Sequence, residues 1–433
     1  MKRRSFVVAG SASLLGAGLL CWAQAKRCNA TSGEVGVGPT DVPGDAHLVP
    51  DPGGLLDLRE GFSYRVLQRG GTKMDDGYRV PGRPDAMGCF DLGDGRWALM
   101  RNHELDHSLL RFGPYSAQQK PPPEAYDPKT YGGVSRVLLD TQGKLLSSNL
   151  VLIGTARNCA GGMSPWGWLS CEESVTAKHG YVFLCSTLAS RVQKPVRIPA
   201  YGRFLHEAVA IDPENHAAYL TEDRGDGCLY RFVPKDRALP FGEGQLQAMT
   251  VRGQPRFKLG ADLKAFAQFE LGWVDVPVAA GDRDELRYAA QERGAAIVTR
   301  GEGIWRMKDG FAVTSTSGGP HATGQIFHLS PTDQGGKLRL IAQSNDPRQL
   351  DMPDNVTVTP WGDLMVCEDN HRAPCLRLVT QQGRVNTFAL NRGSRSEFAG
   401  VCFSPDGKIL FVNIQEANLT VAIEGPWQTL ATS

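Results

Sequence analysis

The sequence lacks several features that would place it in common classes of protein. After residue 25 it has no apolar stretch long enough to cross a membrane as a helix. Neither sign of charge is in clear excess, since 47 Lys and Arg face 46 Asp and Glu, and a nucleic-acid surface needs a basic excess. No Gly-x-Ser-x-Gly segment occurs. These absences argue against a helical membrane protein, a nucleic-acid-binding protein and a nucleophilic serine hydrolase.

The first 25 residues have the pattern of an export signal. Lys2-Arg3-Arg4-Ser5-Phe6 contains twin arginines, an apolar run follows from Val7 to Trp22, and Ala23-Gln24-Ala25 resembles a cleavage site. Twin arginines favour export of the folded protein over ordinary export of an unfolded chain. We therefore predict a periplasmic or secreted protein exported by the twin-arginine route, with a signal peptide over residues 1–25 and a linker over residues 26–47.

Ten cysteines in an exported protein would ordinarily indicate disulfides, but their spacing here does not form a disulfide framework. Cys21 lies in the predicted signal, so nine of the ten cysteines remain after cleavage. An odd number without the spacing of a small disulfide-rich domain indicates at least one free thiol. We predict that most of these cysteines are core residues.

From residue 48 onward one short pattern recurs. A turn that contains Gly or Asn is followed by an alternating apolar strand, and the strand ends in polar residues. The six strands end in Asn102-His103-Glu104, Glu172-Glu173, Glu222-Asp223, Ser315-Thr316-Ser317, Glu368-Asp369 and Asn413 to Gln415. Such repetition is typical of propeller blades and is unusual for a β-sandwich, the alternative fold. We predict an all-β β-propeller with loop insertions over residues 48–433, with six blades, or alternatively seven.

Acidic residues are concentrated at these strand ends. Equivalent strands of a propeller end at equivalent places around the axis, so the acids are expected to meet at one mouth of the central channel. They are Glu104, Glu172, Glu173, Glu222, Asp223, Glu368 and Asp369. Crowded carboxylates repel one another unless protons or cations compensate, and oxygen ligands suit Ca²⁺ or another hard cation. The alternative is that each acid meets solvent separately at a blade rim.

Three further positions combine reactive side chains with glycine or with an apolar strand. Cys159 lies among glycines, where a thiolate could bind a transition metal, although a buried structural cysteine is the alternative. His206 and Glu207 interrupt an apolar strand, where such residues are more often satisfied core or rim residues. Arg300 and Glu302 lie between glycines, and Arg300 could bind an anion with its planar guanidinium or pair with Glu302.

At these residues the chain resembles the PhoX-type alkaline phosphatases, a family of exported bacterial β-propeller enzymes. The resemblance extends from about residue 50 to the C-terminus. The matching segments are residues 101–104, 158–162, 171–173, 202–208, 221–224, 300–303, 353–355 and 397–400.

The resemblance implies hydrolysis of phosphate monoesters at a cluster of two ferric ions and two or three calcium ions on the propeller axis. The metal ligands that it implies are Cys159, which would bind iron, together with Glu172, Glu173, Glu207, Glu302 and Asp354. It implies catalytic roles for Arg300, which would bind the phosphate, and for Glu207. Asn102, Glu104 and Asp223 are further candidates for the site.

Two alternatives to this function remain open. A calcium-dependent propeller lactonase or phytase would need no thiolate ligand, so Cys159→Ser would be harmless there. A non-catalytic, metal-stabilised propeller that binds a ligand or a protein would hold calcium without iron and would turn over no ester. For the favoured function we expect small-molecule phosphate esters as substrates and a monomeric protein.

Overall fold

The computed structural model describes residues 47–116, 119–277 and 283–431. The predicted signal peptide, and the predicted linker apart from residue 47, lie outside these ranges. Within them, no helix is both long enough and apolar enough to cross a membrane.

Short β-strands make up most of the described chain. The strands are β1 (Leu48–Val49), β2 (Leu56–Arg59), β3 (Ser63–Arg69), β4 (Pro84–Asp91), β5 (Arg96–His103), β6 (Gly132–Asp140), β7 (Leu145–Thr155), β8 (Asn158–Ser164), β9 (Gly167–Glu172), β10 (Val182–Cys185), β11 (Val196–Ile198), β12 (His206–Ile211), β13 (Ala218–Glu222), β14 (Leu229–Pro234), β15 (Gly244–Val251), β16 (Gln268–Asp275), β17 (Gly301–Met307), β18 (Gly310–Ser315), β19 (Gln325–Thr332), β20 (Gly335–Gln343), β21 (Pro353–Val358), β22 (Leu364–Glu368), β23 (Cys375–Val379), β24 (Val385–Asn391), β25 (Phe398–Phe403), β26 (Ile409–Ile414) and β27 (Leu419–Glu424). The helical segments are α1 (Leu286–Glu292), α2 (Trp427–Leu430) and 3₁₀ turns at Leu110–Phe112 and Pro199–Tyr201.

In the described residues, these strands form six antiparallel units of four strands each. The units are β4-β5-β6-β7, β8-β9-β10-β11, β12-β13-β14-β15, β17-β18-β19-β20, β21-β22-β23-β24 and β25-β26-β27-β3. The outermost strand of the last unit is β3, so a strand from the N-terminal side completes the blade formed by the C-terminal strands. Strand β16 joins the third and fourth units into one sheet, and β1 and β2 extend the fifth.

The first strands of the six units form a closed ring around the axis. Each packs against the first strand of the next unit, and β25 packs against β4. A β-sandwich would not give this arrangement. The predicted all-β propeller is confirmed.

Apolar side chains fill the space between neighbouring blades, and strand β5 shows how. Trp97 and Leu99 pack in a cluster with Phe411 of the last blade, whereas Ala98 and Met100 belong to a cluster on the other side. Because side chains alternate along a strand, a blade between two neighbours is apolar on both faces.

The cysteines belong to this core. All eight cysteines in the described ranges are buried, and none forms a disulfide. The prediction that most of them are core residues is confirmed.

Candidate metal centre

A β-bulge lies at the start of the first strand in every blade. In each case two residues of the first strand stand opposite one residue of the second strand. The bulges lie between Pro84 and Met87, Asn158 and Gly161, His206 and Val209, Gly301 and Ile304, Pro353 and Val356, and Ala399 and Cys402. Because a bulge redirects a side chain at the end of a strand, equivalent side chains are redirected at the same mouth of the channel.

Five of these six bulges present a side chain that can bind a metal ion. The first bulged residues, in blade order, are Asp85, Cys159, Glu207, Glu302, Asp354 and Gly400. We call this set the inner ring. In four blades the residue directly after the second strand is also acidic, namely Glu104, Glu173, Asp223 and Asp369.

Carboxylates from different blades come close enough to share a cation. Single carboxylate oxygens of Glu207, Glu302 and Asp354 lie within 4.8 Å of one another. Oxygens of Asp354, Asp369 and Glu397 form a second group within the same distance. These five residues come from four blades, so the fold unites side chains that are far apart in sequence.

Among the inner-ring acids of the described chain, Glu207 is the one that the protein itself compensates least, since Asp85, Glu302 and Asp354 accept hydrogen bonds from Gln415, Arg300 and Asn355. Glu207 is 3% exposed, and its carboxylate accepts no hydrogen bond from the part of the chain that the structure describes. Burial raises the pKa of Glu207 well above its ordinary value, and the charges of Asp354 and Glu173 raise it further. Burial likewise raises the pKa of Glu173 to about 8 and that of Asp354 to about 7. These groups therefore need protons or cations as partners.

Cys159 places a thiol beside this carboxylate cluster. Its thiol is buried and donates to the backbone oxygen of His206, with a separation of 3.3 Å. Burial raises the pKa of the thiol well above its ordinary value, and the charge of Glu207 adds to this effect. A bound cation would favour the thiolate instead. The donor set thus fits both hard cations, through the carboxylates, and a metal that accepts sulfur.

Arg300 lies among the acids at the edge of the cluster. Its Nε is 2.9 Å from Asp223, its Nη2 is 2.6 Å from Glu302 and its Nη1 is 3.3 Å from Asp369. Burial alone would lower the pKa of Arg300, but the charges of Glu302 and Asp223 outweigh it and raise the pKa. The backbone of Arg300 is left-handed, with φ of 50°, a strained conformation that is common at functional sites.

The structure does not bring Glu172 into this cluster. Its carboxylate accepts hydrogen bonds from the backbone N–H groups of Ala156, Gly180 and Tyr181 at 2.9, 2.9 and 3.2 Å. It also lies 2.6 Å from Nδ1 of His179. Both oxygens are therefore engaged in fixing the loops around β9, which is a structural role.

In two other pairs of adjacent acids, Glu222-Asp223 and Glu368-Asp369, the first acid likewise has a structural role. Glu222 accepts a hydrogen bond from the backbone N–H of Cys228 at 3.0 Å, and Glu368 accepts one from Cys375 at 3.2 Å and pairs with Arg377 at 2.7 Å. In these pairs the first acid, at the last residue of the strand, fixes the blade, and the second acid faces the centre.

Asn102 is also fully engaged by the scaffold. Its side-chain N–H donates to the backbone oxygen of Ala160 at 2.6 Å, and its oxygen accepts from Trp168 at 2.8 Å and from Ser170 at 2.9 Å. Asn102 thus positions the strand that carries Cys159. Glu104, by contrast, lies at the site, where it pairs with Arg157 at 2.9 Å.

Sequence reasoning missed Asp85 and Glu397 as members of the cluster. Burial raises the pKa of Asp85 well above its ordinary value, and Glu104 and Asp354 contribute. Asp85 lies at the start of its strand rather than at the end of one, so a search for acidic strand ends passes over it. An alignment of the six first-strand starts would have found it, because Asp85 occupies the same place as Glu207.

Comparisons with known proteins agree with this geometry. A family model described as alkaline phosphatase PhoX matches residues 44–150 and 146–418. The structure is similar to that of Pseudomonas fluorescens PhoX in complex with vanadate, a transition state analogue, with a TM-score of 0.69 and 18% identity over 86% of this chain and 96% of that chain. A gluconolactonase from Xanthomonas campestris gives a TM-score of 0.43 and 11% identity over 89% of this chain and 99% of that chain, which is too low to support an inference about function. A comparison with curated proteins gave no match.

Proposed function

Because the chain belongs to the PhoX alkaline phosphatase family, we propose that it hydrolyses phosphate monoesters at the axial cluster. The observation that carries the proposal is the meeting of Glu207, Glu302 and Asp354 within 4.8 Å, beside Arg300 and Cys159. A phosphate monoester is doubly charged, so its hydrolysis requires concentrated positive charge. Carboxylates can supply such charge only by holding cations.

We propose Cys159, Glu173, Glu207, Glu302 and Asp354 as ligands of two ferric ions and two or three calcium ions. When bound, these ions would neutralise the phosphate oxygens and provide the activated nucleophile. Glu172 is left out of the ligand set, because its oxygens already accept hydrogen bonds from three backbone N–H groups. The fold is similar to that of a PhoX whose structure was determined in complex with vanadate, a transition state analogue, and this similarity is consistent with phosphate-ester chemistry.

Arg300 is the proposed phosphate-binding residue. Its guanidinium is held by Asp223, Glu302 and Asp369 on three sides, so its position is fixed before substrate arrives. Cations bound to those acids would leave the guanidinium free to donate to phosphate oxygens. A donor fixed in advance stabilises transition-state charge without reorganisation.

The remaining parts of the proposal concern the whole protein. We propose export by the twin-arginine route, directed by residues 1–25 and followed by their removal, with one domain over residues 48–433 and a monomer in the periplasm or outside the cell. The proposed substrates are small phosphate esters, with no role for nucleic acid.

The test measures hydrolysis of p-nitrophenyl phosphate by the purified natural protein, together with its iron and calcium content. We expect activity that is lost with a chelator and in Glu207→Gln. Glu243→Gln is the matched control, because Glu243 directly precedes β15 and its exposed carboxylate pairs with the exposed Lys235. A protein that holds iron and calcium but hydrolyses no phosphate ester would refute the function. A Glu207→Gln variant as active as the parent would remove Glu207 from the mechanism.

Cys159→Ser separates this function from a calcium-dependent lactonase or phytase. Replacing the sulfur should reduce iron content and activity here, because a hydroxyl is a much poorer ligand for the same metal. An unchanged iron content and rate in Cys159→Ser would favour the calcium-only alternatives.

A further inference from the structure

Three arginines occupy equivalent places at the mouth of the channel. Arg83, Arg157 and Arg300 each directly precede the first strand of a blade, and their φ angles are 48°, 54° and 50°. Left-handed backbone is unfavourable for arginine, so its occurrence at three equivalent positions indicates that the fold holds each guanidinium in a set direction. Only Arg300 has a role in the proposed hydrolysis.

The backbone of Arg157 is fixed from both sides. Its N–H donates to the oxygen of Leu105 at 2.8 Å, and its own oxygen accepts from the N–H of Glu173 at 2.9 Å. The corresponding N–H of Arg300 donates to Arg224 at 2.8 Å. The two arginines are therefore presented in the same way by two different blades.

The guanidinium of Arg157 is only partly used by the protein. Nη2 binds both Glu173 and Glu104, whereas Nε is buried without a partner. Nη1 forms no hydrogen bond with any of the described residues, and the side chain is 25% exposed. In Arg83, by contrast, Nη1 is occupied by Gln415 and Glu416, and Glu416 is not part of the cluster.

Arg157 and Arg300 are held by equivalent acids of neighbouring blades. Arg157 pairs with Glu173, directly after β9, and Arg300 pairs with Asp223, directly after β13 of the next blade. Arg300 has all three guanidinium nitrogens engaged, whereas Nη1 of Arg157 has no partner among the described residues. A substrate held at Arg300 would therefore lie at the same mouth of the channel as Nη1 of Arg157.

We propose that Arg157 selects phosphate monoesters whose leaving group carries a second acidic group, which Nη1 of Arg157 binds while Arg300 binds the phosphate. The inference rests on the proposed function. A charge-assisted hydrogen bond to that second group is stronger than one to a neutral group. An ester with a neutral leaving group gains nothing from Nη1, so the contact discriminates between substrates.

The test compares 3-phosphoglycerate with glycerol 3-phosphate, which differ by a carboxylate in place of a hydroxymethyl group. The readout is the ratio of their kcat/KM values. We expect the wild type to prefer 3-phosphoglycerate and Arg157→Gln to lower this ratio about tenfold, the effect of losing one hydrogen bond to a charged group. Arg157→Lys should keep part of the preference. Arg83→Gln is the matched control, with the same backbone conformation, and should leave the ratio unchanged.

The outcomes separate this inference from its premise. If Arg157→Gln slows both substrates by the same factor, Arg157 only positions Glu104 and Glu173, and the inference is overturned. A wild type without preference overturns it as well, even if both esters are hydrolysed. A wild type that hydrolyses neither these esters nor p-nitrophenyl phosphate overturns the proposed function itself. Thermal unfolding of each variant shows whether it is folded, and Arg157→Lys gives the answer if Arg157→Gln is not.

Discussion

Without bound cations, the protein should lose stability as the pH rises from about 5 to about 8. In the unfolded chain a glutamate titrates near 4.5, whereas burial raises the pKa of Glu173 to about 8 in the folded protein. Between these values the folded state holds a proton that the unfolded state has released. The free energy of unfolding therefore falls as the pH rises through this window. Asp354, whose ordinary pKa is 3.8 and whose folded pKa is about 7, acts in the same direction.

The size of the effect follows from the width of the window. Each pH unit over which one group is protonated only in the folded state contributes about 1.4 kcal/mol. For Glu173 the span from 4.5 to about 8 corresponds to about 5 kcal/mol. This is on the order of the whole stability of an ordinary domain, which is about 5–15 kcal/mol. The dependence should therefore be large enough to shift the midpoint of thermal unfolding by many degrees.

Cations should reverse this dependence. A metal ion binds the ionised carboxylate, so its affinity rises as the pH rises, and a ligand at about one hundred times its Kd stabilises by about 2.7 kcal/mol. The assay is thermal unfolding by circular dichroism between pH 5 and 8, with chelator and with added calcium and iron. The control is Glu173→Gln combined with Asp354→Asn, which should reduce the dependence and leave the part that is due to the other buried acids, such as Glu207 and Asp85. A midpoint of the chelated protein that stays constant or rises across this range would refute the reasoning.

Two further predictions concern residues that the structure separates by role. Glu172→Gln should lower the melting temperature and leave the metal content nearly intact, because it weakens hydrogen bonds to the loops around β9. Glu173→Gln should instead lower the metal content and leave these hydrogen bonds intact. Thermal unfolding and elemental analysis of the two variants check both expectations, and an equal loss of metal in the two would contradict this division of roles. Gly400→Ala should prevent folding or cost several kcal/mol, because φ is +65° and the new Cβ would lie 2.2 Å from the backbone oxygen of Asp85; a soluble variant with wild-type stability would contradict this.

The propeller could be predicted from the sequence because its signal is repeated. One turn-and-strand pattern is weak evidence, but six copies with the same polar ending indicate one supersecondary unit used again and again. The approximate region of the site follows as well, since equivalent strand ends must meet at one mouth. Glu173, Asp223 and Asp369 were found in this way from their place after the second strand.

The side-chain directions at that mouth could not be predicted in the same way. Glu172 and Glu173 are neighbours of the same chemical type, yet one accepts backbone hydrogen bonds and the other faces the centre. Which of them turns inward depends on where the strand ends, and a shift by one residue exchanges the two sides of a strand. The inner ring depends on a bulge that leaves no mark in hydrophobic periodicity, so the sequence does not reveal Asp85, and only the resemblance implies a metal-binding role for Glu207.

The inner ring shows how a repeated backbone becomes an asymmetric site. All six first strands have the same bulge, so the backbone presents six equivalent positions, and the chemistry is decided by what occupies each of them. Four carry carboxylates and one carries the thiol of Cys159, which alone distinguishes one side of the axis by its preference for softer metals. The sixth position carries no side chain, because the backbone of Asp85 lies too close to Gly400 for a Cβ. The asymmetry that the proposed mixed metal cluster needs therefore comes, in the inner ring, from different residues at equivalent positions of a symmetric backbone.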